Sequence, residues 1–152
     1  HMIGHVQSNK VKYMAPYVDL IHGVDSPKLL KEINKQAQKN NRIIPCLLQI
    51  HIAQEESKYG FSAEECHQTI QMATALPHVQ IKGLMGMATF TEDQKQIAQE
   101  FVGLKALYDQ LIEQNIPLEI LSMGMSGDYP LAIAQGSNMI RVGSKIFGPR
   151  NY

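Results

Sequence analysis

Residues 121–128 read LSMGMSGD, and residues 139–148 read MIRVGSKIFG. Each begins as a short apolar run and breaks into Gly and Ser, and a stretch with helical character separates them. A strand that ends in Gly and Ser before a helical turn presents backbone N–H groups and a hydroxyl, which suits a phosphate. The pattern predicts a phosphate site at Ser126, Gly143 and Ser144. The spacing alone leaves open that the glycines only make tight turns.

Three further residues stand out near predicted strand ends. Arg141 lies inside an apolar run, where a guanidinium needs a partner. That partner is either a carboxylate in a structural ion pair or an acceptor atom of a ligand. His5 is typical either of a general acid/base or of a hydrogen-bonding residue at the mouth of a barrel. Met85, next to a glycine, is more typical of a core than of a cofactor wall.

Apolar runs and helical patterns alternate six times along the chain, without a hairpin signal. This alternation predicts βα units and a parallel sheet, with strands over residues 2–6, 20–24, 45–51, 79–85, 118–123 and 139–142. An open doubly wound sheet and a barrel both fit. Polar residues or glycines follow nearly every strand, and a barrel gathers all such ends on one face. A barrel needs eight strands and about 250 residues. We therefore expect a (β/α)8 TIM-type barrel of which about six βα units are present.

Local signals predict where the helices begin. Ser26 followed by Pro27 is a strong start, and two capping boxes are predicted, Ser62 with Glu65 and Thr91 with Gln94. The clearest apolar stripe follows the second box. It comprises Ile97, Phe101, Leu104, Tyr108 and Leu111.

The composition excludes several classes of function. Fourteen basic residues balance fourteen acidic ones, so no electrostatic footprint for nucleic acid or an anionic membrane is expected. No apolar run approaches the roughly 18 residues of a membrane span. Cys46 and Cys66 are predicted to be reduced packing residues of a cytoplasmic protein. The six histidines form no cluster typical of a metal site.

Six motifs in order along the chain resemble those of the pyridoxal phosphate homeostasis proteins, which have an alanine-racemase-like barrel fold. They are IGHVQSNK at 3–10, IHGVDS at 21–26, EESKYGF at 55–61, GLMGMA at 83–88, LSMGMSGD at 121–128 and RVGSKIFG at 141–148. The resemblance implies a barrel that holds pyridoxal 5'-phosphate (PLP) and has no established catalytic turnover. The function expected is cofactor homeostasis, by buffering or delivery.

The resemblance also implies roles for six residues. Ser126, Gly143 and Ser144 would hold the phosphate, Arg141 would face the pyridine nitrogen, and His5 and Met85 would line the cofactor. An arginine at that nitrogen keeps it unprotonated, which weakens the ring as an electron sink. The alternative function is a PLP-dependent amino-acid racemase or decarboxylase of the same fold, and a purely structural or interaction role also stays open.

One departure from the family pattern concerns the Schiff-base lysine, which the family carries on its first barrel strand. No lysine here occupies that motif, so no catalytic residue is assigned. The expected domain organisation is that residues 1–152 form the C-terminal portion of a single PLP-binding barrel. Binding is expected to be weak and non-covalent. Unpaired strand edges would favour either self-association through those edges or marginal stability.

Overall fold

The computed structural model describes residues 1–54 and 59–148 and shows one curved sheet of five parallel strands. The strand order is β1-β2-β3-β4-β5, so each strand pairs with its predecessor in the sequence. The strands are β1 (Ile21–Val24), β2 (Ile44–Ile50), β3 (Val79–Gly86), β4 (Ile120–Met125) and β5 (Met139–Arg141).

Helices connect the strands. A 3-10 turn, Ser8–Lys10, leads into the first of them. They are α1 (Val11–Met14), α2 (Pro27–Lys39), α3 (Ala63–Ala73), α4 (Gln94–Glu113), α5 (Tyr129–Ala134) and α6 (Ser144–Phe147).

The sequential strand order decides between the two expected α/β architectures. A doubly wound sheet reverses its order at a switch point, whereas the strands of a barrel follow one another. Here the order does not reverse, and the five strands form half of a barrel. The expected partial (β/α)8 barrel is confirmed.

The prediction of a first strand at residues 2–6 is wrong. Only Met2 pairs, through a single parallel bridge to Ile21. Two backbone hydrogen bonds make this bridge, from Met2 N to Leu20 O and from His22 N to Met2 O, both 2.9 Å long. Pairing goes no further because Gly4, a poor strand residue, follows almost at once.

Two of the three predicted helix starts are confirmed. The Ser26 hydroxyl accepts a hydrogen bond from Leu29 N, and the capping box of Ser62 with Glu65 is complete. The box of Thr91 with Gln94 is wrong. Asp93 caps α4 instead, because its Oδ1 accepts hydrogen bonds from the backbone N–H groups of the first turn, at 2.9 and 3.2 Å.

Alternation along the strands divides the buried side chains between the two faces of the sheet. The outer face packs against the helices in the main core, which includes Leu48, Phe101 and Leu121. The inner face, on the concave side, carries a smaller cluster of Leu20, Leu47 and Met85.

Both cysteines are free and buried. Burial raises the pKa of the Cys66 thiol to about 12 and that of Cys46 still further. Of the EESKYGF motif at 55–61, residues 55–58 lie outside the described residues.

Candidate functional site

The ends of β4 and β5 lie side by side. The two strands are parallel, with Ser122 opposite Met139 and Met125 opposite Arg141. Ser126 follows β4 directly, and its Oγ accepts hydrogen bonds from Gly143 N at 3.2 Å and Lys145 N at 3.3 Å. Two backbone N–H groups from the end of β5 therefore converge on one oxygen atom.

A tight turn after β4 presents Ser126 at this position. Asp128 Oδ1 accepts a hydrogen bond from Met125 N at 2.6 Å, and Asp128 N donates to Met125 O at 3.1 Å. Within the turn, a Cβ added to Gly127 would meet no atom within 4 Å, and the same holds for Gly143. The backbone at both glycines is thus open to close approach by a ligand.

A cavity of about 440 Å³ opens at these strand ends. The loops after β3, β4 and β5 supply its walls, through residues 89–91, 125–128 and 143–144. Arg141 also lines it. The structure therefore brings four of the six predicted site residues to one cavity: Ser126, Arg141, Gly143 and Ser144.

Arg141 is anchored to neutral groups. Its Nη1 donates to Ser122 Oγ at 2.7 Å, and its Nη2 donates to Gly86 O at 2.8 Å. Burial lowers the pKa of Arg141 to about 10, and the negative charge of Asp128 works in the opposite direction. The guanidinium thus stays charged at neutral pH. Among the described residues, the salt bridges do not include Arg141, so the ion-pair alternative has no support there.

His22 extends this network across the concave face. Its ring is buried, and Nδ1 lies 3.2 Å from Ser122 Oγ. Burial, and then the positive charge of Arg141, lower the pKa of His22 to about 4. The sequence reasoning did not assign His22 or Ser122 to the site. The alternation in β4 could have indicated Ser122, because it lies between Leu121 and Met123, which face outward, and so must face the concave side.

The other two predicted site residues lie elsewhere. His5 Nδ1 is 3.2 Å from Asp25 Oδ2, and its ring stacks on Tyr59 with 4.8 Å between the centroids. Met85 is fully buried in the inner cluster. Neither is among the described residues that line the cavity. Their predicted contact with the cofactor stays a prediction.

A second groove, of about 420 Å³, lies on the outer side between α3 and α4. Its carboxylate, Glu100, accepts hydrogen bonds from Thr89 N and Thr89 Oγ1, both at 2.7 Å, and from Gln96 Nε2 at 3.1 Å. These bonds tie the loop after β3 to α4. The Glu100 carboxylate therefore has a structural role.

Residues 1–54 and 59–148 contain neither a membrane-spanning helix nor a metal-ligand cluster. None of the helices there is long and apolar enough to cross a membrane. In the same ranges, no group of three or more His, Cys, Asp or Glu side chains could hold a metal ion.

Comparison with known proteins supplies the family. The model of the alanine racemase N-terminal domain matches residues 1–151. The chain belongs to this family. Among its relatives is the pyridoxal phosphate homeostasis protein of Aquifex aeolicus, 39% identical over 100% of this chain and 67% of the relative. The chain spans about two thirds of the length of the curated relatives it matches. The predicted family resemblance is confirmed.

Solved structures share the fold. PipY of Synechococcus elongatus, solved with PLP bound, is 32% identical with a TM-score of 0.85, and the match covers 95% of this chain and 68% of PipY. Alanine racemase of Clostridium difficile is 17% identical with a TM-score of 0.76, covering 98% of this chain and 39% of the racemase. At that identity the likeness to the racemase shows the fold alone.

Proposed function

We propose that this chain binds pyridoxal 5'-phosphate and serves cofactor homeostasis, by buffering or delivery. The observation that carries the proposal is one cavity lined by Ser126, Gly143 and the buried guanidinium of Arg141, where two backbone N–H groups converge on the Ser126 hydroxyl. The name of the curated relatives and the PLP-bound PipY structure support the same ligand.

The phosphate half of the site fits the cofactor. Phosphate oxygens need several donors within hydrogen-bond distance, and backbone N–H groups beside glycine meet that need. Gly143 N and Lys145 N already point at a single oxygen atom, that of Ser126. We propose that Ser126 and the Gly143–Ser144 backbone hold the phosphate.

The ring half of the site depends on Arg141. A guanidinium only donates hydrogen bonds, so it pairs with a pyridine nitrogen that carries no proton. When bound, PLP supplies an aldehyde that reacts with amines and a ring that withdraws electrons. An unprotonated ring nitrogen withdraws electrons poorly, so Arg141 favours carrying the cofactor over amino-acid catalysis. All the contacts named are hydrogen bonds, and we propose non-covalent binding by this chain.

A binding titration tests the proposal. PLP is titrated into the chain and the dissociation constant is measured by calorimetry, with pyridoxal, which lacks the phosphate, as the matched ligand. We expect saturable binding of PLP, much weaker binding of pyridoxal, and competition by inorganic phosphate.

Variants locate the site. Ser126→Ala removes a phosphate-facing hydroxyl and should weaken PLP binding about tenfold, or about 1.4 kcal/mol. Ser8→Ala, in the 3-10 turn before α1, is the matched control and should leave the affinity unchanged. The absence of saturable binding at millimolar PLP, or equal effects of both variants, would refute the proposal.

We propose that residues 1–152 belong to a single barrel domain and that the protein works in the cytoplasm, which its buried, free cysteines favour.

We also propose self-association of two copies through β5. Among the described residues β5 pairs only with β4, and exposed Ile140, Ile146 and Phe147 lie on or beside it. Light scattering over a concentration series should show a dimer, and a strict monomer would refute this.

A further inference from the structure

A continuous chain of hydrogen bonds crosses the concave face of the sheet. It runs from Gly86 O on β3 to the guanidinium of Arg141 on β5, then to Ser122 Oγ on β4 and His22 Nδ1 on β1. The distances are 2.8, 2.7 and 3.2 Å. Four strands thus contribute to the placement of one cation.

Arg141 sets the direction of the first two hydrogen bonds in this series. Arg141 can only donate, so Ser122 Oγ accepts from it and keeps its own proton for another partner. His22 Nδ1 lies 3.2 Å away and accepts that proton in the tautomer that carries its own proton on Nε2. His22 is then neutral with its proton on Nε2, and Nε2 lies 3.2 Å from His1 Nδ1. Burial and the neighbouring positive charge favour this neutral form.

The anchoring leaves part of the guanidinium available. The two described bonds use two of the five N–H donors of an arginine. An arginine side chain held at only one point keeps several rotatable bonds, and ordering it costs conformational entropy when a ligand binds. Anchoring at Ser122 and Gly86 removes that cost beforehand.

We propose that Ser122 and His22 are positioning residues that hold the Arg141 guanidinium ready for the ring nitrogen of the cofactor. Ser122 supplies the acceptor, and neutral His22 orients the Ser122 hydroxyl so that its lone pairs face Arg141. This inference rests on the proposed function in naming the ring nitrogen as the ligand atom. The placement of Arg141 itself is a property of the protein without cofactor.

The first experiment uses the protein without cofactor. Side-chain ¹⁵N NMR reports the tautomer of His22 and the exchange rate of the Arg141 N–H protons. Ser122→Ala should shift the His22 tautomer away from the Nε2–H form and raise the Arg141 exchange rate several-fold. Ser122→Thr keeps a hydroxyl and should restore both signals.

Ser137→Ala is the matched control. The Ser137 hydroxyl lies within hydrogen-bond distance of Leu121 O, Met123 O and Met139 O on β4 and β5, and these three bonds do not involve Arg141. This variant loosens the same pair of strands, yet both signals should stay as in the wild type.

If Ser122→Ala does not fold, His22→Gln and His22→Leu replace it. Gln keeps an acceptor for the Ser122 hydroxyl, and Leu removes it, so only Leu should raise the exchange rate.

The second experiment separates the ring nitrogen from the rest of the cofactor. Affinity is measured for PLP and for an analogue in which C–H replaces the ring nitrogen. Ser122→Ala should weaken PLP binding about fivefold and leave the analogue unaffected. Equal losses for both ligands would overturn the inference, because they indicate general damage to the site.

The outcomes distinguish the two proposals. Unchanged His22 and Arg141 signals in Ser122→Ala overturn the positioning role, whether or not PLP binds. If those signals change as expected and the wild type binds no PLP, the proposed function fails, while the placement of Arg141 by Ser122 and His22 is supported.

Discussion

The two faces of the sheet differ in how their buried groups are stabilised. On β2, Leu48 and Ile50 face the helices and Leu47 and Gln49 face the concave side. The outer face is apolar, and its burial is favourable wherever a side chain of suitable size fits. The inner face carries a small apolar cluster and, in addition, four buried polar residues: His22, Gln49, Ser122 and Arg141. Each of these needs a particular partner, because an unpaired buried polar group costs free energy. The outer face therefore provides stability, and the inner face places the groups of the site.

The largest effect is expected on the outer face. Phe101 in α4 is fully buried in the main core. Phe101→Ala should lower the free energy of unfolding by about 3–5 kcal/mol, through lost burial and a cavity. Urea denaturation measures this. Val102→Ala, at an exposed neighbour, is the control and should change stability by about 0.5 kcal/mol or less. A small loss for Phe101→Ala would contradict the division between the faces.

An acid-dependent effect is expected on the inner face. The pKa of His22 is about 4 in the folded chain and 6.5 when unperturbed, so the unfolded chain binds more protons between these values. Neutral His22 therefore makes its full contribution to the free energy of unfolding above pH 6.5. As the pH falls towards 4 this contribution is lost, which amounts to roughly 3 kcal/mol in total. Urea denaturation from pH 7.5 to 4 should show a shallower fall for His22→Gln than for the wild type.

The control for this prediction is His67→Gln on α3, where Nδ1 lies 2.8 Å from Ala63 O. This variant should keep the full pH dependence of the wild type. Parallel profiles for His22→Gln and the wild type would show that His22 is not held neutral by the fold.

A smaller effect on affinity is expected at Arg141. A lysine keeps the charge but has one nitrogen, which cannot donate to Ser122 Oγ and Gly86 O as two separate guanidinium nitrogens do. Arg141→Lys should therefore weaken PLP binding about tenfold, or about 1.4 kcal/mol. Calorimetry measures the loss. An affinity equal to that of the wild type would mean that charge alone suffices at this position.

The smallest effect is a gain on the outer face. Gly103 lies inside α4, and a Cβ added there would meet no atom within 4 Å. Gly103→Ala should raise the free energy of unfolding by about 0.5–1 kcal/mol, because alanine loses less conformational entropy in a helix. PLP affinity should not change. A loss of affinity would instead indicate that the groove between α3 and α4 takes part in binding.

The sequence predicted the fold well where apolar periodicity reports burial. The stripe of α4, from Ile97 to Leu111, is buried as expected. Local hydrogen-bonding choices were harder to predict. Asp93 and Thr91 are both good caps, and only the backbone geometry shows that Asp93 accepts from Lys95 N and Gln96 N. The run at 2–6 was misread because a single bridge and a short strand have similar sequences.

The site was predictable in part for a similar reason. Ser126 and Gly143 follow apolar runs, and parallel strand ends meet at one edge of a sheet, so their proximity follows from the topology. The contact between His22 and Ser122 does not follow from the topology. The two residues are 100 positions apart, on strands that are not neighbours in the sheet. Their contact depends on the curvature of the sheet, which no local pattern encodes.

The sequential strand order also has a consequence for how the protein is made. Because each strand pairs with the one synthesised before it, the sheet can form in the order in which the chain leaves the ribosome. The bond between His22 and Ser122 must wait until β4 has emerged, long after β1. We expect the half-barrel to curve fully only at that stage, so that Arg141 enters a concave face whose acceptors are already in place.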